Sequence, residues 1–227
     1  MVAHHGVSWL EMENTIAAFV AAGNRSYYGI ETDVHVTKDE QIVIFHDDTT
    51  LRVTGIDKVV EECTLEELQA IPLYDMVPGT SRTDLRMPTL SEYINICKKY
   101  EKVAVLELKN TMEVRHIQKI IDIINECGYL SGVIFISFSW DNCANLRKLL
   151  PEQKIQFLDS KWDDELIDKL AENNLDLDLR HTAVTKELVD KLHAKGLVLN
   201  CWTVNEKERG DELASLGVDF ITSNILE

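Results

Sequence analysis

The chain has 227 residues, 45% of them hydrophobic and 27% charged, which suits one large domain with a sizeable core. Its 23 basic and 39 acidic residues give a net charge of −16, a surface that repels nucleic acid and anionic membranes at long range. A small anionic substrate is compatible with that charge if a metal ion or a few placed cations meet it locally.

No apolar run reaches the length of a membrane span, and no signal peptide precedes Val2. The five cysteines, Cys63, Cys97, Cys127, Cys143 and Cys201, are odd in number and scattered, with no CxxC pair. They read as reduced thiols, neither a disulfide frame nor a zinc site. A cytoplasmic location is expected, unless an upstream segment is missing from the sequence.

In chain order, Val2-Ala3 is a very short strand running into the turn His4-His5-Gly6. Glu13-Asn14-Thr15 then starts a helix over IAAFVAA, with Gly23 as its stop. Gly29 to Asp48 forms a hairpin. Along its first arm Ile30, Thr32 and Val34 share one face, and Glu31, Asp33 and His35 share the other. The return arm, Ile42-Val43-Ile44-Phe45, ends at His46. With a two-residue loop at Asp39-Glu40, Lys38 pairs with Gln41 and Asp33 faces His46.

From Thr49 to Met87 the pattern is irregular, with one short helix signal: Thr64, LEELQAI, and Glu67 placed for a capping box. Pro72, Pro78, Gly79 and Pro88 punctuate the remainder, and residues of about 47–88 read as a loop-rich insertion within a single domain spanning 1–227. Beyond Pro88, helices over Thr89–Lys99, Val114–Cys127, Asp141–Leu150, Glu165–Ala171, Thr185–Ala194 and Glu206–Leu216 alternate with strands. The strands are Val103–Lys109, Val133–Ser137, Ile155–Leu158, Leu175–Leu179, Leu197–Val204 and Val218–Thr222. Leaving aside the returning arm, the strands number eight. Alternation with short loops marks a parallel sheet, and the glycine-rich phosphate signature of an open doubly wound sheet is missing. The expected fold is α/β, a TIM (β/α)8 barrel with a small loop-rich insertion after an early hairpin.

In such barrels catalytic groups sit at the C-terminal ends of strands. His4 and His5 end the first strand, Glu31 and Asp33 lie late in the second, and Glu107 and Lys109 end the third on a shared face. Trp202 lies late in the seventh. Like charges two apart on a strand repel unless a cation lies between them. Oxygen-only ligation suits Mg²⁺ or Ca²⁺, and an imidazole beside it suits proton transfer.

Taken in order, AHHG, ENTIAAF, GIETDVHVTKDEQIVIFHDDTTLRVT, LELK, CWTVN and GVDFIT resemble the glycerophosphodiester phosphodiesterase family over essentially the whole chain. The resemblance implies Glu31, Asp33 and Glu107 as ligands of one divalent cation, and His4 and His46 as the catalytic histidines. It implies Lys109 as a cation near the phosphate, Trp202 as an aromatic wall of the pocket, and Glu13-Asn14 as support for the site. The family's arginine after the first histidine is replaced here by His5, which offers one donor and a pH-dependent charge in place of a bidentate fork. Met12 stands for the usual proline, and Thr222-Ser223 for the common Thr-Asp.

The implied activity is metal-dependent hydrolysis of a small glycerophosphodiester to glycerol 3-phosphate and an alcohol. Two other readings of the residues stay open. A lysophospholipase D-like activity needs an apolar channel, for which Leu73, Tyr74, Met76 and Val77 are candidates. A catalytically silent metal or phosphate-ligand module is conceivable because of His5. Oligomeric state is not legible.

Overall fold

The alternating signals close into a ring in the computed structural model, which describes residues 1–77 and 82–227. Eight strands run parallel: β1 (Val2–Ala3), β2 (Gly29–Val36), β4 (Val103–Leu108), β5 (Val133–Ser137), β6 (Lys154–Asp159), β7 (Asp176–Arg180), β8 (Leu199–Trp202) and β9 (Phe220–Ser223). The ring order is β1-β2-β4-β5-β6-β7-β8-β9, closed by pairing of β1 with both β2 and β9, and β3 (Ile42–Ile44) adds an antiparallel arm outside it. This is the TIM barrel that the strand count predicts.

The helices α1 (Ile16–Gly23), α2 (Leu51–Thr54), α3 (Leu65–Gln69), α4 (Leu90–Lys99), α5 (Val114–Glu126), α6 (Trp140–Leu149), α7 (Asp164–Glu172), α8 (Lys186–Ala194) and α9 (Lys207–Leu216) connect the strands. Thr15, Thr64, Thr89, Ser139, Asp163 and Thr185 each cap a helix start by accepting a backbone N–H, and Thr64 and Thr89 complete capping boxes with Glu67 and Glu92. Gly23 is the last helical residue and Asn24 is the cap, so the glycine serves packing: a Cβ there would lie 2.5 Å from the Tyr100 ring. None of the helices described is long and apolar enough to cross a membrane.

The main core lies between the strands and the outer helices, with Ile120, Phe135, Leu177, Leu179 and Leu199 fully buried in it. A smaller cluster of Val2, Val105, Ile134, Ile136 and Leu158 fills the inside of the ring. Period-2 alternation along each strand separates the two sets, so residues 177 and 179 of β7 face the helices while 178 faces the ring's interior.

One expectation is overturned. The pairs in the hairpin are Val34 with Ile44, His35 with Val43 and Val36 with Ile42, one step from the register predicted. The connection holds three residues, Lys38 to Glu40, because Thr37 N–H donates to Gln41 O at 2.9 Å and Glu40 takes the left-handed conformation (φ 59°). Asp33 is therefore opposite Phe45, whose N–H donates to Asp33 O at 3.1 Å, and not opposite His46.

The segment after the hairpin builds a satellite core of Val53, Val60, Leu68, Leu73, Leu85 and Met87 around Val43 and Phe45 of the return arm. Of the turn residues expected there, Pro78 and Gly79 lie outside the described residues. The four-residue α2, closed by Gly55 at φ 73°, is not expected from the sequence; Thr50 holds its N-cap position but makes no side-chain cap hydrogen bond.

Candidate active site

Short, strained connections bring the site residues to the C-terminal mouth of the barrel. His5 and Gly6 both adopt positive φ (50° and 81°), turning the chain sharply after β1. Only glycine fits at position 6, since a Cβ would lie 2.7 Å from Ala18. The turn aims the His5 N–H at Glu31 Oε2, 3.0 Å away, and lets Asn14 N–H donate to His5 O at 3.0 Å. Asn14, also at positive φ, donates through Nδ2 to Asp33 Oδ2 at 3.0 Å and accepts from the Thr32 hydroxyl at 2.7 Å. The cap of α1 is Thr15, which frees Asn14 to hold Asp33.

Glu31, Asp33 and Glu107 converge, with one oxygen from each lying within 4.8 Å of the others. They are 3%, 0% and 7% exposed. The parallel register explains the meeting: Asp33 on β2 is the direct neighbour of Glu107 on β4. Asp33 Oδ1 and Glu107 Oε1 are buried without a hydrogen-bond partner. Lys109 Nζ stands 3.4 Å from the first and 3.1 Å from the second as an ion-pair partner.

Burial, then the Asp33 charge, pushes the Glu31 carboxyl well above its ordinary range and the Glu107 carboxyl up to about 7. Burial works the same way on Asp33, but His5 and Lys109 outweigh it and hold that carboxyl well below the usual range. Three buried acids sharing one ammonium and one imidazole are short of positive charge. An all-oxygen set that one ammonium only partly neutralises fits a hard divalent cation.

The three histidines of the site have separate partners. His4 donates from Nδ1 to Asn224 Oδ1 at 2.8 Å, which leaves Nε2 facing the cavity 4.0 Å from Glu31. Burial, then the neighbouring His5, lowers its pKa to about 3, so it is a neutral imidazole. His46 donates from Nδ1 to Asp47 Oδ1 at 2.6 Å, and its ring also lines the cavity. His5 stacks on His4 with centroids 3.7 Å apart, its Nε2 3.2 Å from Asp33 Oδ2 and its Nδ1 3.5 Å from Glu13. Burial disfavours its charge, yet Asp33 and Glu31 outweigh that and raise its pKa to about 9.

Arg52 ties this arrangement together. Its guanidinium donates to both Glu13 oxygens at 2.7 and 2.8 Å and to both Asp47 oxygens at 2.6 and 3.0 Å. Glu13 faces His5 and Asp47 holds His46, so one side chain of the inserted segment fixes the supports of two site histidines.

The cavity has a volume of about 160 Å³ and is lined by His4, His5, Glu31, His46, Glu107, Lys109 and Trp202. Asp33 lies just behind, with its ligand atom within 4.8 Å of those of His5 and His46. The predicted metal ligands, catalytic histidines and substrate-binding residues thus meet at one mouth, although His46 arrives by the chain turning out after Phe45. The opposite wall is Ile136, Phe138, Leu158, Asp178, Thr203 and Thr222, with Phe138 edge-on to Trp202 at 5.6 Å. Leu73 packs into the satellite core, and none of Leu73, Tyr74, Met76 and Val77 lines the cavity, so the segment supplies no apolar channel among the described residues. Asn224, Asp47, Arg52, Phe138 and Asp178 were not legible as site residues; only the His-Asp pairing at 46–47 gave a local signal.

Comparison with known proteins gives a consistent answer. The sequence profile of the glycerophosphoryl diester phosphodiesterase family matches residues 4–226. A glycerophosphodiester phosphodiesterase of Caldanaerobacter subterraneus subsp. tengcongensis is 30% identical over 99% of this chain and 93% of its own. A phosphodiesterase of Oleispira antarctica, solved in complex with the product sn-glycerol-3-phosphate, superposes with a TM-score of 0.91 at 25% identity, covering 98% of this chain and 92% of that one. A glycerophosphodiester phosphodiesterase of Parabacteroides distasonis gives 0.82 at 26% identity over 98% and 91%. The chain belongs to the glycerophosphoryl diester phosphodiesterase family and is a phosphoric diester hydrolase.

Proposed function

With that membership as the premise, we propose that the protein hydrolyses small glycerophosphodiesters to glycerol 3-phosphate and an alcohol, with Glu31, Asp33 and Glu107 holding one divalent cation, Mg²⁺ or Ca²⁺. The observation that carries this reading is the trio of buried carboxylates whose donor oxygens lie within 4.8 Å of one another and share one ammonium, flanked by two histidines that reach the same small cavity. Bound there, the cation supplies Lewis-acid polarisation of a phosphoryl oxygen.

The chain's own residues do the rest. Asn224 and Asp47 fix the His4 and His46 rings through Nδ1, leaving each Nε2 free for proton transfer. One ring takes the proton of the attacking hydroxyl and the other protonates the leaving oxygen, work typically worth about 10²–10⁴-fold in rate. Lys109, and His5 while protonated, offset the negative charge that grows on phosphorus oxygens. Trp202 forms an aromatic wall of the pocket. The chain acts as one domain, with residues of about 47–88 an insertion that contributes Arg52 to the site's supports.

A silent binding module does not need two imidazoles poised on the same cavity, and the family membership does not favour it. The test is turnover of glycerophosphocholine by protein stripped with EDTA and reloaded with Mg²⁺ or Ca²⁺. We expect activity to return with the ion, and His4→Ala and His46→Ala each to lose about 10²–10⁴-fold. The variant that recovers on a p-nitrophenyl diester, whose leaving group needs no proton, identifies the general acid. Near-wild-type turnover of glycerophosphocholine by either variant overturns the acid–base assignment.

A further inference from the structure

Across the ring from the metal-binding acids, a further carboxyl group faces the cavity with no part in the chemistry above. Asp178 lies on β7, diametrically opposite β2 in the ring order, and is 2% exposed. Its Oδ2 accepts from Asn200 Nδ2 at 3.0 Å. Asn200 also donates to Gln156 Oε1 at 3.4 Å and accepts from the Thr222 hydroxyl at 3.3 Å, so four neighbouring strands share a buried polar row. Asp178 Oδ1 stands outside that row: it has no hydrogen-bond partner, and the residue lines the cavity.

A buried carboxyl oxygen left bare is costly, and Asn200 needs only one acceptor from this position. Ile136, Leu158 and Phe138 share its wall with Thr203 and Thr222, and Trp202 Nε1 donates to the Asp178 backbone carbonyl at 3.4 Å. Asp178 belongs to none of the groups whose donor atoms converge as a cation site. A phosphate is a poor partner for an acid that already faces Glu107 across the cavity. A neutral hydroxyl is a good one. Burial pushes the Asp178 carboxyl well above its ordinary range, and as acid or carboxylate it can meet a hydroxyl by donating or accepting.

We propose that Asp178 is a specificity-determining residue that hydrogen-bonds, through Oδ1, a hydroxyl of the substrate's polyol portion; this rests on the glycerophosphodiester reading above. The chemistry is that of an alcohol, supplied either by the glycerol half or by a hydroxylated alcohol on the other side of phosphorus.

Calorimetric titration of the Mg²⁺-loaded protein with sn-glycerol 3-phosphate and with ethyl phosphate, which lacks hydroxyls, tests the first source. Relative kcat/KM on glycerophosphoglycerol and glycerophosphoethanolamine tests the second. In Asp178→Ala we expect one of these ratios to fall about 10–100-fold against wild type, the size of a lost hydrogen bond to a buried acid. Asp178→Asn must present its amide oxygen to Asn200 and its NH₂ to the cavity. It should therefore show the same discrimination at smaller size, and it keeps the test open if the alanine variant does not fold. Equal losses on both members of each pair, or no change in any, overturn the assignment. Wild-type protein that turns over no glycerophosphodiester sinks the underlying reading instead, while the binding ratio still judges Asp178.

Discussion

On the β2–β4 side of the cavity, Glu31, Asp33 and Glu107 are packed so tightly that two of their oxygens find no hydrogen bond and two of their carboxyls are driven upward in pKa. On the β6–β9 side, Gln156, Asn200 and Thr222 are just as buried but bond to one another, and a single oxygen of Asp178 is left over. The first half holds charge in excess of what the protein neutralises, which is how a chain reserves a place for a cation and for a charged transition state. The second half carries one carboxyl group and is nearly satisfied, which suits shape and hydroxyl recognition. Excess charge and satisfied hydrogen bonding are thus divided between two walls of one barrel.

If that division holds, changes on the two walls should differ in kind. The largest effect is expected from Asp33→Asn or Glu107→Gln, which should cost at least about 10³-fold in metal-supported kcat/KM. Glu107→Gln removes part of the like-charge crowding, so thermal unfolding of that EDTA-treated variant should show no loss of stability, whereas Asp33→Asn takes the counter-charge from His5 and Lys109 and should lower the metal-free Tm. A large drop in the metal-free Tm of Glu107→Gln would mean that this acid serves structure and would break the contrast.

A smaller loss, about 10–100-fold in kcat, is expected for Asn224→Ala, because His4 then loses the partner that fixes its tautomer. The pH–rate profile should change shape along with it, and a change confined to KM would argue against that role. On the other wall, Asn200→Leu strands acceptors on Asp178 and Gln156 and the hydroxyl of Thr222. It should lower stability by about 1–3 kcal/mol in urea titration. Turnover by the folded fraction should fall far less than in the acid variants.

The subtlest test is a slope. His5 has a folded pKa of about 9 against an ordinary 6.5, raised by Asp33 and Glu31 against the effect of burial. Its folded state holds the proton more tightly than the unfolded chain, so this stabilisation is complete below pH 6.5 and is lost as pH rises through 9. Metal-free protein should therefore lose Tm between those values. His5→Gln should reduce the slope, leaving the part that the raised Glu107 and Glu31 carboxyls contribute, and saturating Mg²⁺ should flatten it by replacing the proton as counter-charge. A slope unchanged in His5→Gln would show that the imidazole is not the group that balances the acids.

Much of this was legible in the residues. Period-2 runs separated by capped helices predict the barrel, because burial of one face per strand and one stripe per helix leaves few other ways to hide so many β-branched side chains. Glu31 with Asp33 and Glu107 with Lys109 are visible as same-face pairs, since alternation along a strand is a local property. The threonine caps are local too, and they fall where the sequence places them. The hairpin register was not, because it turned on whether Glu40 would take a left-handed conformation, and a one-residue change in loop length shifts every pair.

What the sequence determined alone is the fold class, the family and the residue types that meet a phosphodiester, all written in short-range pattern and motif order. The tertiary structure decided who supports whom. Asn224 reaches His4 across 220 positions and Arg52 reaches Glu13 across 39, while Asp178 faces the acids only because the ring closes with β7 opposite β2. Such contacts depend on strand register and ring closure, which are settled by packing over the whole chain and leave no mark in any local window of residues.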